Sequence, residues 1–289
     1  MTTDDDGAKT TASTPTVGKT VAARESGRTF GRRFGVSLLL GIPGIAALVG
    51  YIYFATPSTA VPTKLSRPLF ALLSGINPLL LLGVACLLGA YAAPRAGLQS
   101  LLVDGEASDD GVWRRLRGQV VLAAGLGVLG GVSIIVLDVA MMPFVAQELP
   151  QSAIGATRPT VLDVLAYAPV RFLYGGITEE LLLRFGVMSA IAFVGWYVTG
   201  RRTGGPRAGV MWTAIVVSAV LFGVGHLPAL AQAVSLTPAL IARTVLLNAV
   251  AGVLFGWLYW RRNLEAAMIA HASFHLPLLA LSLMQVAML

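Results

Sequence analysis

Long runs of residues without a charged side chain most constrain how this chain can fold. Residues 34–55 and 69–93 contain no Asp, Glu, Lys or Arg, and residues 118–137 form a third such run. An α-helix rises about 1.5 Å per residue, so each run is long enough to cross the ~30 Å apolar layer of a bilayer. These runs therefore predict an integral membrane protein with several helical spans.

Composition excludes the other broad classes. Of the 289 residues, 56% are hydrophobic and only 12% are charged, whereas soluble domains carry about 25% charged residues. Such a chain cannot cover a water-facing surface, which excludes a soluble globular enzyme. The net charge of +7 does not indicate nucleic-acid binding, because the basic residues stand in short runs beside apolar segments. A lone Cys86 excludes a disulfide framework and any cysteine-based metal site.

The predicted fold class is all-α, a polytopic transmembrane helical bundle. Residues 161–199 are apolar but too long for one simple span, and Gly175-Gly176 predicts a break followed by a helix that begins near Ile177. Seven spans are expected, or eight if the piece 161–174 also crosses the bilayer. We divide the chain into a disordered cytoplasmic tail (1–33), N-terminal spans with a cytoplasmic loop (34–158) and a catalytic transmembrane core (160–288).

Dense basic clusters predict the orientation. They lie in residues 28–33, 94–117, 200–207 and 261–262, and cytoplasmic loops of membrane proteins are rich in Lys and Arg. Seven spans with all four clusters inside give a multi-pass protein of the cell membrane, with a cytoplasmic N-terminus and an extracellular C-terminus.

Two adjacent carboxylates, Glu179 and Glu180, lie inside an apolar run, where charged side chains usually mark function. Glu180 and Arg184 are four residues apart and can pair on one helix face. Glu179 points about 100° away, and a carboxylate removed from bulk water is a stronger base, suited to taking a proton from water. The alternative is a helix start, with Thr178 as the N-cap and both acids near the positive end of the helix dipole.

All three histidines also lie in apolar runs near the C-terminus. His226 ends a predicted helix before Pro228, and His271 and His275 are four residues apart on one helix face, a spacing that metal sites use. Hydrogen bonding between helices is the structural alternative for each. Two simpler expectations concern other residues: Gly252 and Gly256 form a close helix contact, and the ends of Asp138, Asp163 and Arg243 reach toward the membrane surface. Taken together, the base, the imidazoles and the Arg-braced carboxylate predict a hydrolytic site.

The order Glu-Glu-x-x-x-Arg, then Phe-x-x-x-His, then His-x-x-x-His resembles the CPBP family, which comprises the type II CAAX prenyl endopeptidases and their prokaryotic Abi-type relatives in bacteriocin processing and immunity. The resemblance covers about residues 160–280. Glu179, Glu180 and Arg184 match the first block, and Phe222 and His226 match the second. The third block departs from the family pattern, because His275 stands where the family usually has Asn.

The resemblance implies a role for each matching residue. Glu179 would activate the water, Glu180 and Arg184 would hold the helix, with Phe222 as further support, and His226 and His271 would orient the water or stabilise the oxyanion. His275 would donate a hydrogen bond in place of the Asn or would act as a metal ligand. We expect no cofactor; the zinc alternative would use Glu179, His226, His271 and His275.

The sequence thus predicts an intramembrane endopeptidase that hydrolyses a peptide bond with a Glu-activated water, of glutamate type or metallo type. The alternatives are a non-catalytic immunity or scaffold protein of the same family and a proton-coupled transporter. The expected partners are membrane lipid and a membrane-associated protein or peptide substrate, with no nucleic acid; the sequence does not predict the oligomeric state.

Overall fold

The computed structural model describes residues 15–105, 109–148, 159–200 and 204–288, and the side chains of 15–28, 58, 109 and 110 are outside this description. Within these ranges the chain is helical and contains no strand. The predicted all-α class is confirmed. Of the predicted N-terminal tail, residues 1–14 lie outside the described residues, and the backbone from residue 15 onward belongs to the first helix.

Long helices make up almost all of the described chain, joined by short turns. Their bounds are Pro15–Ala55, Arg67–Ala92, Asp109–Val145, Ala208–Gly225, Pro238–Arg261 and Leu264–Ala287, with a further helical rod from Val161 to Val198 and short helices at Leu101–Asp104 and Leu227–Ala231.

Seven of the described helices are long and apolar enough to cross a membrane, which confirms the expected number. We call them spans 1 to 7 in chain order: Thr29–Ala55, Arg67–Ala92, Gly111–Glu148, Val161–Val198, Ala208–Ala231, Pro238–Arg261 and Leu264–Ala287. Many large apolar side chains on them face outward, such as Val121 and Leu129, which are 84% and 62% exposed. The chain is therefore a multi-pass membrane protein.

Span 4 is continuous, so the predicted break at Gly175-Gly176 is wrong. The backbone passes through both glycines in a wide π-helical stretch, Val170–Thr178, and a second such stretch follows at Leu181–Met188. The glycines instead allow span 7 to come close: a Cβ on Gly176 would lie 2.9 Å from the Cβ of Ala272. π-Helical turns are rare and occur frequently at functional sites.

Thr178 is in the interior of this rod, which excludes the helix start considered for the two glutamates. Its hydroxyl donates a hydrogen bond of 2.9 Å to the carbonyl of Gly41 in span 1. The side chain therefore links two spans and does not cap a helix.

Polar side chains join the ends of several helices at the end of the bundle that carries the predicted cytoplasmic loops. The buried carboxylate of Glu265 accepts hydrogen bonds from the Ser100 hydroxyl (2.6 Å) and from the backbone N–H of Leu101 (2.9 Å) and Leu102 (3.0 Å). The amides of Gln119 and Asn263 bond reciprocally at 3.0 Å. These bonds satisfy polar groups that would be costly to bury alone.

Span 3 packs directly on the backbone of span 7. A Cβ on Gly127 would clash with the carbonyl of Ala270, and one on Gly131 would clash with the carbonyl of Phe274. Spans 5 and 6 show the same kind of contact, since a Cβ on Gly252 would lie 2.9 Å from Ala219. The close contact predicted for the Gly252 and Gly256 pair is therefore present.

Candidate active site

A fully buried charge cluster lies between spans 4, 6 and 7. The Glu180 carboxylate has no exposed surface, and its Oε1 atom lies 3.2 Å from Nη1 of Arg184 and 2.8 Å from Nδ1 of His271. Arg184 is four residues after Glu180, as the pairing prediction requires. The acid therefore contacts a cation on its own helix and an imidazole on span 7.

Arg184 contacts spans 5 and 6. Its Nη2 atom donates a 3.1 Å hydrogen bond to the carbonyl of Gly252 in span 6. The guanidinium lies 4.7 Å from the ring centre of Phe222 and 5.4 Å from that of Phe255. A charge in an apolar interior must be paired and hydrogen-bonded, and here the carboxylate, the carbonyl and the two rings all contribute.

Aromatic rings fix the plane of the His271 imidazole. It stacks on Phe255 with ring centres 4.4 Å apart and on His275 with ring centres 5.1 Å apart. A carboxylate oxygen only accepts hydrogen bonds, so the Nδ1 that contacts Glu180 carries the proton. This leaves Nε2 of His271 unprotonated on the neutral ring, 3.9 Å from Oε2 of Glu179.

Glu179 differs from Glu180 in its surroundings. Its side chain is 18% exposed, whereas that of Glu180 is fully buried. The two acids are adjacent, so their side chains point in different directions from the helix. Glu179 faces a cavity, in agreement with the prediction that it is free from the Glu180–Arg184 pair.

His226 directly follows the Ala208–Gly225 helix of span 5. Its Nδ1 atom lies 2.8 Å from the carbonyl of Phe222 and therefore donates to it, which leaves Nε2 as an acceptor on the neutral ring. Phe222 also contacts His271 edge to face, with ring centres 5.7 Å apart. The Phe222 side chain thus lies against both imidazoles and against the guanidinium of Arg184.

His275 lies against the first π-helical stretch of span 4. A Cβ on Gly175 would be 2.8 Å from Nε2 of His275, so the glycine leaves room for the ring. This nitrogen is buried and has no hydrogen-bond partner. His275 therefore has unused hydrogen-bonding capacity, as the predicted role of a donor requires.

A cavity of about 640 Å³ joins these groups, between spans 3, 4, 6 and 7 and the end of span 5. Its lining residues come from the halves of these spans that lie away from the predicted cytoplasmic loops. The charged and imidazole side chains on its wall are those of Asp138, Arg171, Glu179, His226, Arg243 and His275.

Three of these wall residues were not assigned to the site from the sequence. Asp138 and Arg243 form an ion pair between spans 3 and 6. Arg171 lies two turns before Glu179 in span 4. Its place in an apolar run was the available signal, but the sequence does not show which face of a π-helical stretch points inward.

The donor set does not fit a metal ion in this arrangement. Among the residues that the structure describes, no three His, Cys, Asp or Glu side chains are placed to hold one. No chemical step below is therefore assigned to zinc.

The part of the chain that contains these residues is similar to a known protein family. Residues 161–276 match the family model described as type II CAAX prenyl endopeptidase Rce1-like. No curated protein and no solved structure gave a significant match. The matched region contains every candidate site residue from Glu179 to His275, and the match agrees with the resemblance to the CPBP family: residues 161–276 are similar to the Rce1-like type II CAAX prenyl endopeptidases.

Proposed function

We propose that this protein is an intramembrane endopeptidase that hydrolyses a peptide bond with a water activated by Glu179. The family match supports a protease of this general type. The observation that carries the mechanism is the 3.9 Å separation between Oε2 of Glu179 and the unprotonated Nε2 of His271, beside a cavity inside the bundle.

This separation suits a single bridging water. A water oxygen about 2.8 Å from both atoms would form hydrogen bonds at an angle of roughly 90°, near the angle between its two O–H bonds. Glu179 and His271 would then each accept a hydrogen bond from the water, and a lone pair of its oxygen would point away from them. We assign Glu179 as the base, because its negative charge is neutralised when it takes the proton as the oxygen attacks the carbonyl carbon.

The remaining steps need a donor for the oxyanion and a proton for the leaving amine. We assign the oxyanion donor to His275, which lies where the family usually has Asn and whose ring has unused hydrogen-bonding capacity. Glu179 then returns its proton to the amine nitrogen as the C–N bond breaks. An oxyanion donor typically contributes a factor of about 10²–10³ to kcat.

The buried cluster acts through His271. Glu180 accepts from Nδ1 of His271, which sets the tautomer and leaves Nε2 free to accept from the water. Arg184 keeps Glu180 charged and in place. Both are positioning residues, because neither is placed to touch the water or the substrate.

The test is the Glu179→Gln variant, reconstituted in liposomes with a pool of fluorogenic peptides that carry an N-terminal acyl chain. We expect the cleavage rate to fall at least ~100-fold with no loss of stability, because the amide cannot take a proton. The matched control is Glu148→Gln, an exposed acid outside the cavity, which should keep the wild-type rate.

Wild-type cleavage by Glu179→Gln would exclude this assignment. If no peptide is cleaved, and a cellular phenotype of the wild-type protein also survives in Glu179→Gln, the non-catalytic immunity or scaffold role is favoured instead.

We further propose that the protein lies in the cell membrane with its N-terminus in the cytoplasm and its C-terminus outside. The basic clusters support this orientation, because Arg33, Arg95 and Arg262 stand at one end of the bundle. The catalytic cavity lies toward the opposite end and would then receive substrate from the extracytoplasmic side.

Single cysteines test the orientation. Cys86 is fully buried and can be replaced by Ala, after which Lys64→Cys and Arg207→Cys place one exposed thiol at each end of the bundle. On intact cells, a membrane-impermeant maleimide should label Lys64→Cys and leave Arg207→Cys unlabelled. The reverse labelling pattern would contradict the proposed orientation.

A further inference from the structure

Asn248 is a polar side chain near the middle of span 6 that no step of the proposed mechanism uses. Its Nδ2 atom donates a 2.8 Å hydrogen bond to the carbonyl of Thr244, one turn earlier in the same helix. Within the part of the chain that the structure describes, the second hydrogen of Nδ2 and the Oδ1 atom have no partner. A polar side chain inside a membrane span is costly and usually serves a function.

Asn263 illustrates the structural role that an asparagine can have in this bundle. Its carboxamide bonds reciprocally with that of Gln119 at 3.0 Å, and its Oδ1 atom also accepts from the backbone N–H of Ala266. It therefore links two helices and caps one of them. Among the described residues Asn248 bonds only to its own helix, so hydrogen bonding between spans does not account for it.

Asn248 lies on the wall of the catalytic cavity, as Glu179 does. Span 5 crosses the bundle between spans 4 and 6, so these two spans run in the same direction. Asn248 is four residues before Gly252, whose carbonyl accepts a hydrogen bond from Arg184. Glu179 is five residues before Arg184. Asn248 and Glu179 are thus on the same side of this contact, each about one helical turn from it.

We propose that Asn248 binds the main chain of the substrate peptide beside the bond that is cut. The N–H of Nδ2 that does not point at Thr244 donates to a peptide carbonyl, and Oδ1 accepts from the N–H of the same substrate residue. This inference rests on the proposed endopeptidase function. It extends that function to the way in which the site holds an extended peptide, whatever the side chains of the peptide are.

The chemistry of a carboxamide favours a peptide main chain as its ligand. A carboxamide carries both donor and acceptor groups, as a peptide unit does, whereas a guanidinium only donates and a carboxylate only accepts. In an extended peptide the N–H and C=O of one residue point to the same side and can be paired together. Asn248 can therefore bind both groups of one substrate residue.

The main chain of a substrate needs such a partner inside the membrane. A peptide N–H or C=O that is buried without a hydrogen bond is costly, and a helix avoids this cost by pairing its own groups. The segment that is cut must leave the helix to expose its carbonyl to the water. Much of the cavity wall is apolar, including Ile134, Leu247 and Leu278, so the amide of Asn248 replaces hydrogen bonds that this wall cannot supply.

Binding to inactive protein tests the proposal without catalysis. Glu179→Gln protein in nanodiscs is titrated with a fluorescent, N-acylated apolar hexapeptide and with analogues in which one backbone N–H at a time is replaced by an ester oxygen. We expect one analogue to bind about three- to tenfold more weakly than the parent peptide, because it has lost the donor to Oδ1 of Asn248.

Variants assign this effect to the Asn248 side chain. In the Glu179→Gln background, Asn248→Ala should weaken binding of the parent peptide about three- to tenfold, and the sensitive ester analogue should then bind as well as the parent. The matched control is Asn77→Ala, because Asn77 also lies within a span but is exposed on span 2 and does not line the cavity. It should leave both affinities unchanged.

Equal binding of the parent and every analogue, no binding of any, or an unchanged ester effect in Asn248→Ala would each overturn the proposal.

A kinetic measurement separates this proposal from the protease function. In active protein, Asn248→Ala should raise KM for the parent peptide about three- to tenfold with little change in kcat, since the contact is present both in the bound substrate and in the transition state. A fall in kcat at unchanged KM would overturn the proposal, because the amide would then act only in the transition state. Cleavage with the wild-type KM overturns only the Asn248 assignment, whereas ester-sensitive binding without cleavage overturns only the protease.

Discussion

The cavity wall and the buried charge cluster behind it each contain one of two adjacent glutamates, Glu179 and Glu180, in different surroundings. Glu180 is fully buried and is held by Arg184 and His271, whereas Glu179 is partly exposed to the cavity and lies 3.9 Å from the same imidazole. One turn of span 4 therefore supplies both a fixed anion and a carboxylate with room for a water. Adjacent acids in a membrane need not share a role.

Because Glu180 is buried in an ion pair and Glu179 is not, we expect substitutions of Glu180 to lower stability and substitutions of Glu179 to lower activity. Removing one partner from a buried ion pair leaves an uncompensated charge, which is strongly destabilising. Removing the charge of Glu179 leaves no buried cation without its anion, so we expect it to affect mainly the chemical step. Three further predictions test whether the wall and the cluster can be separated in this way.

The largest effect is expected for the Glu180→Gln variant. Loss of the negative charge leaves Arg184 buried without an anion, so the free energy of unfolding should fall by about 3–5 kcal/mol and activity should be lost. Equilibrium unfolding in mixed micelles measures the change, with Glu179→Gln as the matched control of unchanged stability.

A double variant makes the comparison sharper. Replacing Glu180 and Arg184 together with Leu removes both charges and should recover most of the stability without recovering activity. A Glu180→Gln variant as stable as the wild type would contradict the view that the cluster holds the site together.

A smaller effect is expected at His275, on the wall. His275→Asn should keep activity within ~10-fold of the wild type, because an amide N–H can also donate to the oxyanion. His275→Ala removes the donor and should lower kcat by about 10²–10³. Cleavage rates of the two variants on one peptide decide between a hydrogen-bond donor and a different role.

No effect is expected from removal of metal ions. Treating active protein with a chelator should change the cleavage rate less than ~2-fold, because the proposed nucleophile is generated by a carboxylate alone. Metal analysis of the same sample should find no stoichiometric zinc. Loss of activity that added Zn²⁺ restores would support the metallo alternative instead.

The sequence predicts the spans well, and it also singles out the residues of the candidate site, because both depend on charge within apolar runs. Hydropathy fixes where the bilayer must be crossed, and a Glu or His inside such a run is rare enough to attract attention. The pairing of Glu180 with Arg184 follows from their spacing alone.

Features that depend on helix packing are less accessible. The Gly175-Gly176 pair predicts a break in the helix because glycine disfavours helices. In the structure these glycines instead allow span 7 to approach closely. The partner of Arg243 is Asp138, more than a hundred residues away and on another span. Hydropathy along one helix cannot show which distant helix lies beside it.

The glycine face of span 3 has a consequence for engineering. Gly127 and Gly131 touch the backbone of the helix that carries His271 and His275, yet both lie before the region that matches the family model. An excised fragment of residues 161–276 would lack the template that aligns its imidazoles. Transferring the motifs of the candidate site to another host protein would therefore require the glycine face of span 3 to be transferred with them.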